Sequence, residues 1–98
     1  MTRLVVNHLR LATPLPDEVI AGAGEICDQI IAAGGLSASI VHVDDAHAIL
    51  VLAFPDLETE ERISSSLGGP WMIENVVPHL SSPPERSSGE IIAGTQSR

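Results

Sequence analysis

At 98 residues and a formal net charge of −8, the chain has room for one domain, which buries only part of its apolar surface. A hydrophobic content of 44% excludes a disordered chain, and the five basic residues, all arginines, are scattered as Arg3, Arg10, Arg62, Arg86 and Arg98. With no basic cluster to neutralise phosphates, nucleic acid and anionic membrane surfaces are not expected partners, and no stretch approaches the ~18 apolar residues of a membrane span.

Residues 3–11, Arg-Leu-Val-Val-Asn-His-Leu-Arg-Leu, read as a first strand. Alternation puts Leu4, Val6, His8 and Arg10 on one face and Val5, Asn7, Leu9 and Leu11 on the other. Both faces carry apolar residues, as expected where both are at least partly covered. The N-terminal residues lack the unbroken apolar core of a signal peptide, and one cysteine, Cys27, allows no internal disulfide. A reducing, cytoplasmic setting is expected.

Thr13-Pro-Leu-Pro-Asp-Glu leads into a helix, with Thr13 a candidate N-cap and the acids suited to the positive helix end. Val19, Ile20, Ala23, Ile26, Cys27, Ile30 and Ile31 recur at helical steps and form its apolar stripe. Gly22 and Gly24 each weaken a helix by about 1 kcal/mol, so close backbone packing is expected there. Gly34-Gly35 ends it.

Residues 37–43 form a second strand, Asp44-Asp45-Ala46 turns the chain, and His47 to Phe54 returns as a third. Its unbroken apolar run from Ala48 to Phe54 suits a central position. Asp56 is placed to cap a second helix through about Leu67, whose apolar marks are only Leu57, Ile63 and Leu67. Gly68-Gly69 is expected to break that helix, and Pro70 to start a short third one carrying Trp71, Met72, Ile73, Val76, Val77 and Leu80. Ser81 to Ser88 reads as a loop, Glu90 to Ala93 as a last strand, and residues 95–98 as a frayed tail behind a domain spanning residues 1–94.

The order β-α-β-β-α-(α)-β is the split βαβ arrangement. It is an α+β, ferredoxin-like fold: a four-stranded antiparallel sheet with its helices on one face. The other face would lie bare in a monomer, and a second copy of the chain is the simplest cover.

Four segments bear a family resemblance: Val5-Val-Asn-His-Leu-Arg10, Gly34-Gly-Leu, Phe54-Pro-Asp-Leu-Glu, and Leu67-Gly-Gly-Pro-Trp-Met72 leading to Val77-Pro-His-Leu80. In these the chain resembles the dimeric α+β-barrel superfamily and, within it, the small antibiotic-biosynthesis-monooxygenase-like proteins. The resemblance implies a homodimer joined through the sheet face. It also implies cofactor-independent, monooxygenase-like chemistry on a small hydrophobic compound held between sheet and helices. The segments fix architecture, not catalysis, and the superfamily also holds isomerases, decarboxylases and proteins without known activity. Two alternatives stand beside the enzyme: a binding protein without turnover, and a structural or regulatory dimerisation module whose cavity is filled by its own side chains.

In that setting the candidate catalytic residues are Asn7 and His8, of which alternation allows one to face the cavity. A histidine there serves as a base near neutral pH, and an asparagine both donates and accepts. The haem-degrading members pair a strand-one asparagine with a tryptophan and a histidine. Asn7 matches, but the other two positions fall near Ser66 and Asn75, and neither His79 nor any other axial ligand is in register. No cofactor is expected.

His42 and Trp71 are candidate substrate-binding residues. In His42-Val-Asp-Asp-Ala-His47, a turn at Asp44-Asp45 sets the two histidines opposite each other, whereas one at Asp45-Ala46 sets His42 against Ile49. No further ligand has metal-site spacing, so no metal is expected. Trp71 after the double glycine reads either as part of a mobile lid or as a plug packing the short helix down. Cys27, on the apolar stripe, reads as inert core.

Overall fold

The computed structural model describes residues 2–94, and the expected tail at 95–98 lies outside them. In chain order the elements are β1 (Arg3–Arg10), α1 (Asp17–Ala32), β2 (Ser37–Asp44), β3 (His47–Phe54), α2 (Leu57–Ile63), a π-helical turn (Ser64–Gly68), α3 (Gly69–Asn75), a 3-10 turn (Val77–His79) and β4 (Glu85–Glu90). The sheet order is β2-β3-β1-β4, and every neighbouring pair is antiparallel. Each helical crossover therefore joins two parallel strands with a third between them, which makes this a ferredoxin-like α+β fold.

The helices cover one sheet face. Val5 and Leu9 from β1, Leu50, Leu52 and Phe54 from β3, and Val19, Ala23, Ile26 and Ile30 from α1 are buried in the layer between. Full burial of one such aliphatic or aromatic side chain contributes about 1.5–3 kcal/mol, so this layer drives folding. On the opposite face Leu4, Val41 and Val43 are exposed, Val6, His8, His47, Ile49 and Val51 are half-buried, and no described residue covers them.

Several boundaries depart from the sequence expectation. Helix α1 starts after Pro16, which occupies the N-cap without a side-chain bond, so Thr13 does not cap it. Two prolines before Asp17 hold the approach extended and keep Thr13 out of reach. At the other end Gly34 takes φ +118°, and the Gly34 and Gly35 amides close on the carbonyls of Ile31 and Ile30. Asp56 caps α2 as expected, its carboxylate accepting from the Thr59 amide at 2.7 Å.

Gly68-Gly69 does not break the second helix. The chain stays helical through the π turn into α3, and a Cβ on Gly69 would come within 2.7 Å of the Ser64 carbonyl oxygen. Pro70 lacks an amide and its ring needs room against the preceding turn, which the wider π turn provides.

The last strand is Glu85–Glu90, which begins inside the expected loop and ends at the first residue of the expected strand, and Ile91 and Ile92 lie beyond it, Ile92 at 90% exposure. An edge strand needs backbone pairing more than apolar side chains, and β4 obtains it along β1 from His8↔Glu85 to Arg3↔Glu90.

Candidate functional site

Two cavities lie between sheet and helices. The first, about 630 Å³, is bounded by α1, β2 and the ends of β1 and β3, with His42, Asp45 and Asp28 around an apolar lining. The second, about 380 Å³, lies under the π turn and α3, against the middle of β1. Cys27 and Ile40 line both.

Strand alternation settles which member of the Asn7–His8 pair enters the cavity. Asn7 shares the helix-side face with Val5 and Leu9 and lines the second cavity, buried to 8% exposure. Its side chain makes no hydrogen bond among the described residues, and its polar atoms are not sealed off, so the amide opens into the cavity. His8 points the opposite way and lines neither cavity, which removes it from any chemistry there. On the open face its Nδ1 meets Nε2 of His47 at 3.1 Å.

Arg86 adds a cation to this cavity. It stands directly across from Asn7 in the β1–β4 register, so both side chains leave the same sheet face, and Arg86 is among the residues that line the cavity. There Nη2 donates to Glu60 Oε2 at 3.1 Å, while the other oxygen of Glu60 accepts from Arg3 Nε at 3.0 Å. Glu60 is only 2% exposed and ties α2 to the two strands, with one negative charge between two positive ones.

Neither Glu60 nor Arg86 was among the expected site residues. Glu60 had left a signal: Leu57, Glu60 and Ile63 follow at three-residue steps, so a carboxylate occupies a core position of the stripe. Arg86 was hidden by the loop reading of residues 81–88.

The candidate binding residues separate. Trp71 lines the second cavity and rests against α1, its indole nitrogen 3.9 Å from where a Cβ on Gly22 would sit. A Cβ there would make only ordinary van der Waals contact, and one on Gly24 would meet open space, so the close packing expected at these two glycines is not found. His42 lines the first cavity, exposed, with Nε2 3.4 Å from Asp45 Oδ1. The turn falls at Asp45-Ala46, with Asp44 against His47, and a bulge between His42 and Asp44 then sets His42 against Ala48 instead of Ile49. His42 and His47 lie on opposite sheet faces, which removes them as joint metal ligands.

Neither cavity has His79 in its lining, and the second contains no imidazole to serve as an axial haem ligand. Cys27 has its thiol pushed up by burial and, secondarily, by the charge of Asp28, which keeps it protonated and a poor nucleophile.

The fold is shared with solved proteins described as antibiotic biosynthesis monooxygenases and oxygenases. A variant of SnoaB, a cofactor-independent oxygenase from Streptomyces nogalater, superposes with a TM-score of 0.75 over 98% of each chain at 13% identity. The ActVA-Orf6 monooxygenase of Streptomyces coelicolor, solved with the ligand nanaomycin D, gives 0.73 over 98% of this chain and 92% of that one at 14% identity. A Nitrosomonas europaea protein described as a candidate antibiotic biosynthesis monooxygenase gives 0.73 over 97% and 94% at 14% identity. At such identities the likeness is one of fold. No family model matches the sequence, and no curated protein does. No helix of the described residues is long and apolar enough to cross a membrane.

Proposed function

We propose that this protein is a cofactor-independent, monooxygenase-like enzyme for a small hydrophobic compound, bound beneath α3 and working as a cytoplasmic homodimer joined through the open sheet face. The observation that carries the reading is Asn7, a residue nine-tenths buried whose amide has no partner among the described residues and faces a mostly apolar cavity that Arg86 also lines. A cavity of about 380 Å³ with few convergent polar groups is the form that small-molecule sites take. That two solved proteins of this fold are described as oxygenases supports the class of chemistry.

The lining restricts the reaction. It contains no histidine, aspartate or glutamate, so the protein has no carboxylate or imidazole in place to take a proton from the substrate. The substrate must be acidic in its own right, for example a methylene between aromatic rings or beside a carbonyl. Arg86 would stabilise the resulting anion, and Asn7 would hold its oxygen or the peroxide by donating and accepting. The electrons come from the substrate: a CH₂ group and O₂ become a C=O group and water, with no external reductant.

The missing base also favours a second reading, a binding protein that holds such a compound without turning it over. Tricyclic and bicyclic aromatic ketones and phenols, anthrone among them, would be screened by thermal shift and by oxygen uptake on wild type and Asn7→Ala. The enzyme reading expects uptake that falls about 5- to 150-fold in kcat/KM in the variant, the equivalent of roughly 1–3 kcal/mol for a buried hydrogen bond left unmade. Binding without uptake would establish the second reading. Equal uptake by both proteins would place the site elsewhere.

A further inference from the structure

We propose that the His8–His47 pair makes association of two copies through the open sheet face proton-sensitive, holding the dimer near neutral pH and releasing it in mild acid. The inference rests on the dimer reading above, and the face itself supplies reasons for choosing a second copy as its occupant. Four strands of about eight residues present roughly 500 Å² per copy, so two copies bury about 1,000 Å², the lower bound for a specific interface. The chain carries a net charge of −8, yet the charged side chains placed on this face by strand register are only Arg10 and Glu85, which pair with each other at 3.1 Å, and Asp44 across from His47. The face thus carries a single net negative charge, at its edge, and two copies meet there with far less repulsion than the rest of the surface imposes.

The two imidazoles sit on adjacent strands, with Nδ1 of His8 and Nε2 of His47 3.1 Å apart and ring centroids 5.3 Å apart. Those distances put both nitrogens close to the line between the rings, so they meet head-on across one hydrogen bond. A shared metal would need the two lone pairs to converge at an angle instead. One nitrogen donates, and the other must keep its lone pair.

A first added proton can go to an outer ring nitrogen and leave the bridge intact. A second must go to the accepting nitrogen, which sets two N–H groups and two positive charges against each other. In a single copy the half-buried rings turn into water. Under a second copy they cannot, and the cost is that of an unpaired buried charge. The charged neighbours offer no rescue: Glu85, across from His8, is engaged by Arg10, and the Asp44 carboxylate, across from His47, accepts from the Ala46 amide at 2.8 Å.

Each copy therefore takes up one further proton on release, two per dimer. By linkage the dissociation constant rises as pH falls, by as much as a hundredfold per pH unit. General titration of an acidic chain acts the other way, because lower pH reduces repulsion between copies. The direction of the effect therefore identifies its source.

Sedimentation equilibrium at fixed ionic strength from pH 7.5 to 5.0 would test this on wild type, His8→Gln, His47→Gln and, as the control histidine on the other face, His42→Gln, with circular dichroism confirming the fold throughout. Wild type and His42→Gln should pass from dimer to folded monomer across this range, and either pair variant should flatten the dependence. Should a pair variant fail to fold, NMR titration of the imidazole C2 protons in wild type should show two of the four histidines titrating together with dissociation. A dimer whose dissociation constant does not rise in acid overturns the proposal alone. A monomer at pH 7.5 overturns the dimer reading beneath it.

Discussion

Replacing Glu60 by alanine removes the one carboxylate that two arginines share. The side chain is 3% exposed, against 16% for Arg3 and 43% for Arg86. Arg86 can turn toward water, and its arm of the triad contributes little more than an exposed pair, about 0–1 kcal/mol. Arg3 cannot, and breaking a buried pair from one side costs about 3–5 kcal/mol. The Arg3 arm dominates, so Glu60→Ala should lose about 3–4 kcal/mol, which for a domain of this size lowers Tm by roughly 12–30 °C. Glu60→Gln keeps the shape and one acceptor and should lose about half as much. Urea unfolding at fixed protein concentration, followed by the fluorescence of Trp71, the sole tryptophan, measures both. The double variant Glu60→Ala/Arg3→Met leaves no orphaned guanidinium in the core and should recover about 2–3 kcal/mol relative to the single change. A loss below about 1 kcal/mol for Glu60→Ala, or a double variant no more stable than the single, would refute the assignment of the triad as a buried tie between α2 and the sheet.

Gly68 and Gly69 share helical φ but differ in surroundings, −66° in open space against −60° beside the Ser64 carbonyl oxygen. Gly68→Ala should be neutral or stabilising by up to about 1 kcal/mol and Gly69→Ala destabilising, so matched losses in thermal melts would contradict the close approach in the π turn. Cys27 should react with iodoacetamide at pH 8 more slowly than glutathione does, and somewhat faster in Asp28→Asn, because burial first and Asp28 second raise its pKa. Asp56 is shifted the other way: the Thr59 amide bonds to its carboxylate and lowers its pKa in the folded state. Its contribution is therefore present above the unfolded carboxylate range and is lost as pH falls through the lower folded value. The stability gap between wild type and Asp56→Ala, measured in urea, should hold from pH 7 to 5 and close toward pH 3.

The parts that could be read directly were those whose period or composition leaves one solution. The stripe of α1 buries Val19, Ala23, Ile26 and Ile30 as its spacing requires, though Ile20 and Ile31 at its margins stay exposed. The apolar run of β3 lies inside the sheet, paired on both sides. Alternation on β1 showed that only one of Asn7 and His8 enters the cavity, but not which one, because apolar residues occupy both faces. β4 was illegible because Glu-Arg-Ser-Ser-Gly-Glu has no apolar alternation, and its pairing partner lies more than 70 residues earlier at His8. With the last strand placed at 90–93, Arg86 falls in a loop with no place opposite Asn7, and the polar half of the site stays hidden. The π turn left no periodic trace, since Gly-Gly-Pro reads locally as a stop and only the continuing helix provides a reason to widen instead.

Labelled oxygen gives the most direct test of the proposed chemistry. Wild type and Asn7→Ala would be supplied with anthrone under ¹⁸O₂ in buffer containing a metal chelator, and the product analysed by mass spectrometry. Oxygenation in the cavity predicts one ¹⁸O atom per product molecule in wild type, in the newly formed carbonyl, at a rate well above the spontaneous reaction, and a rate in Asn7→Ala that falls toward that background. Product oxygen drawn from water, or a rate that Asn7→Ala leaves unchanged, would contradict it.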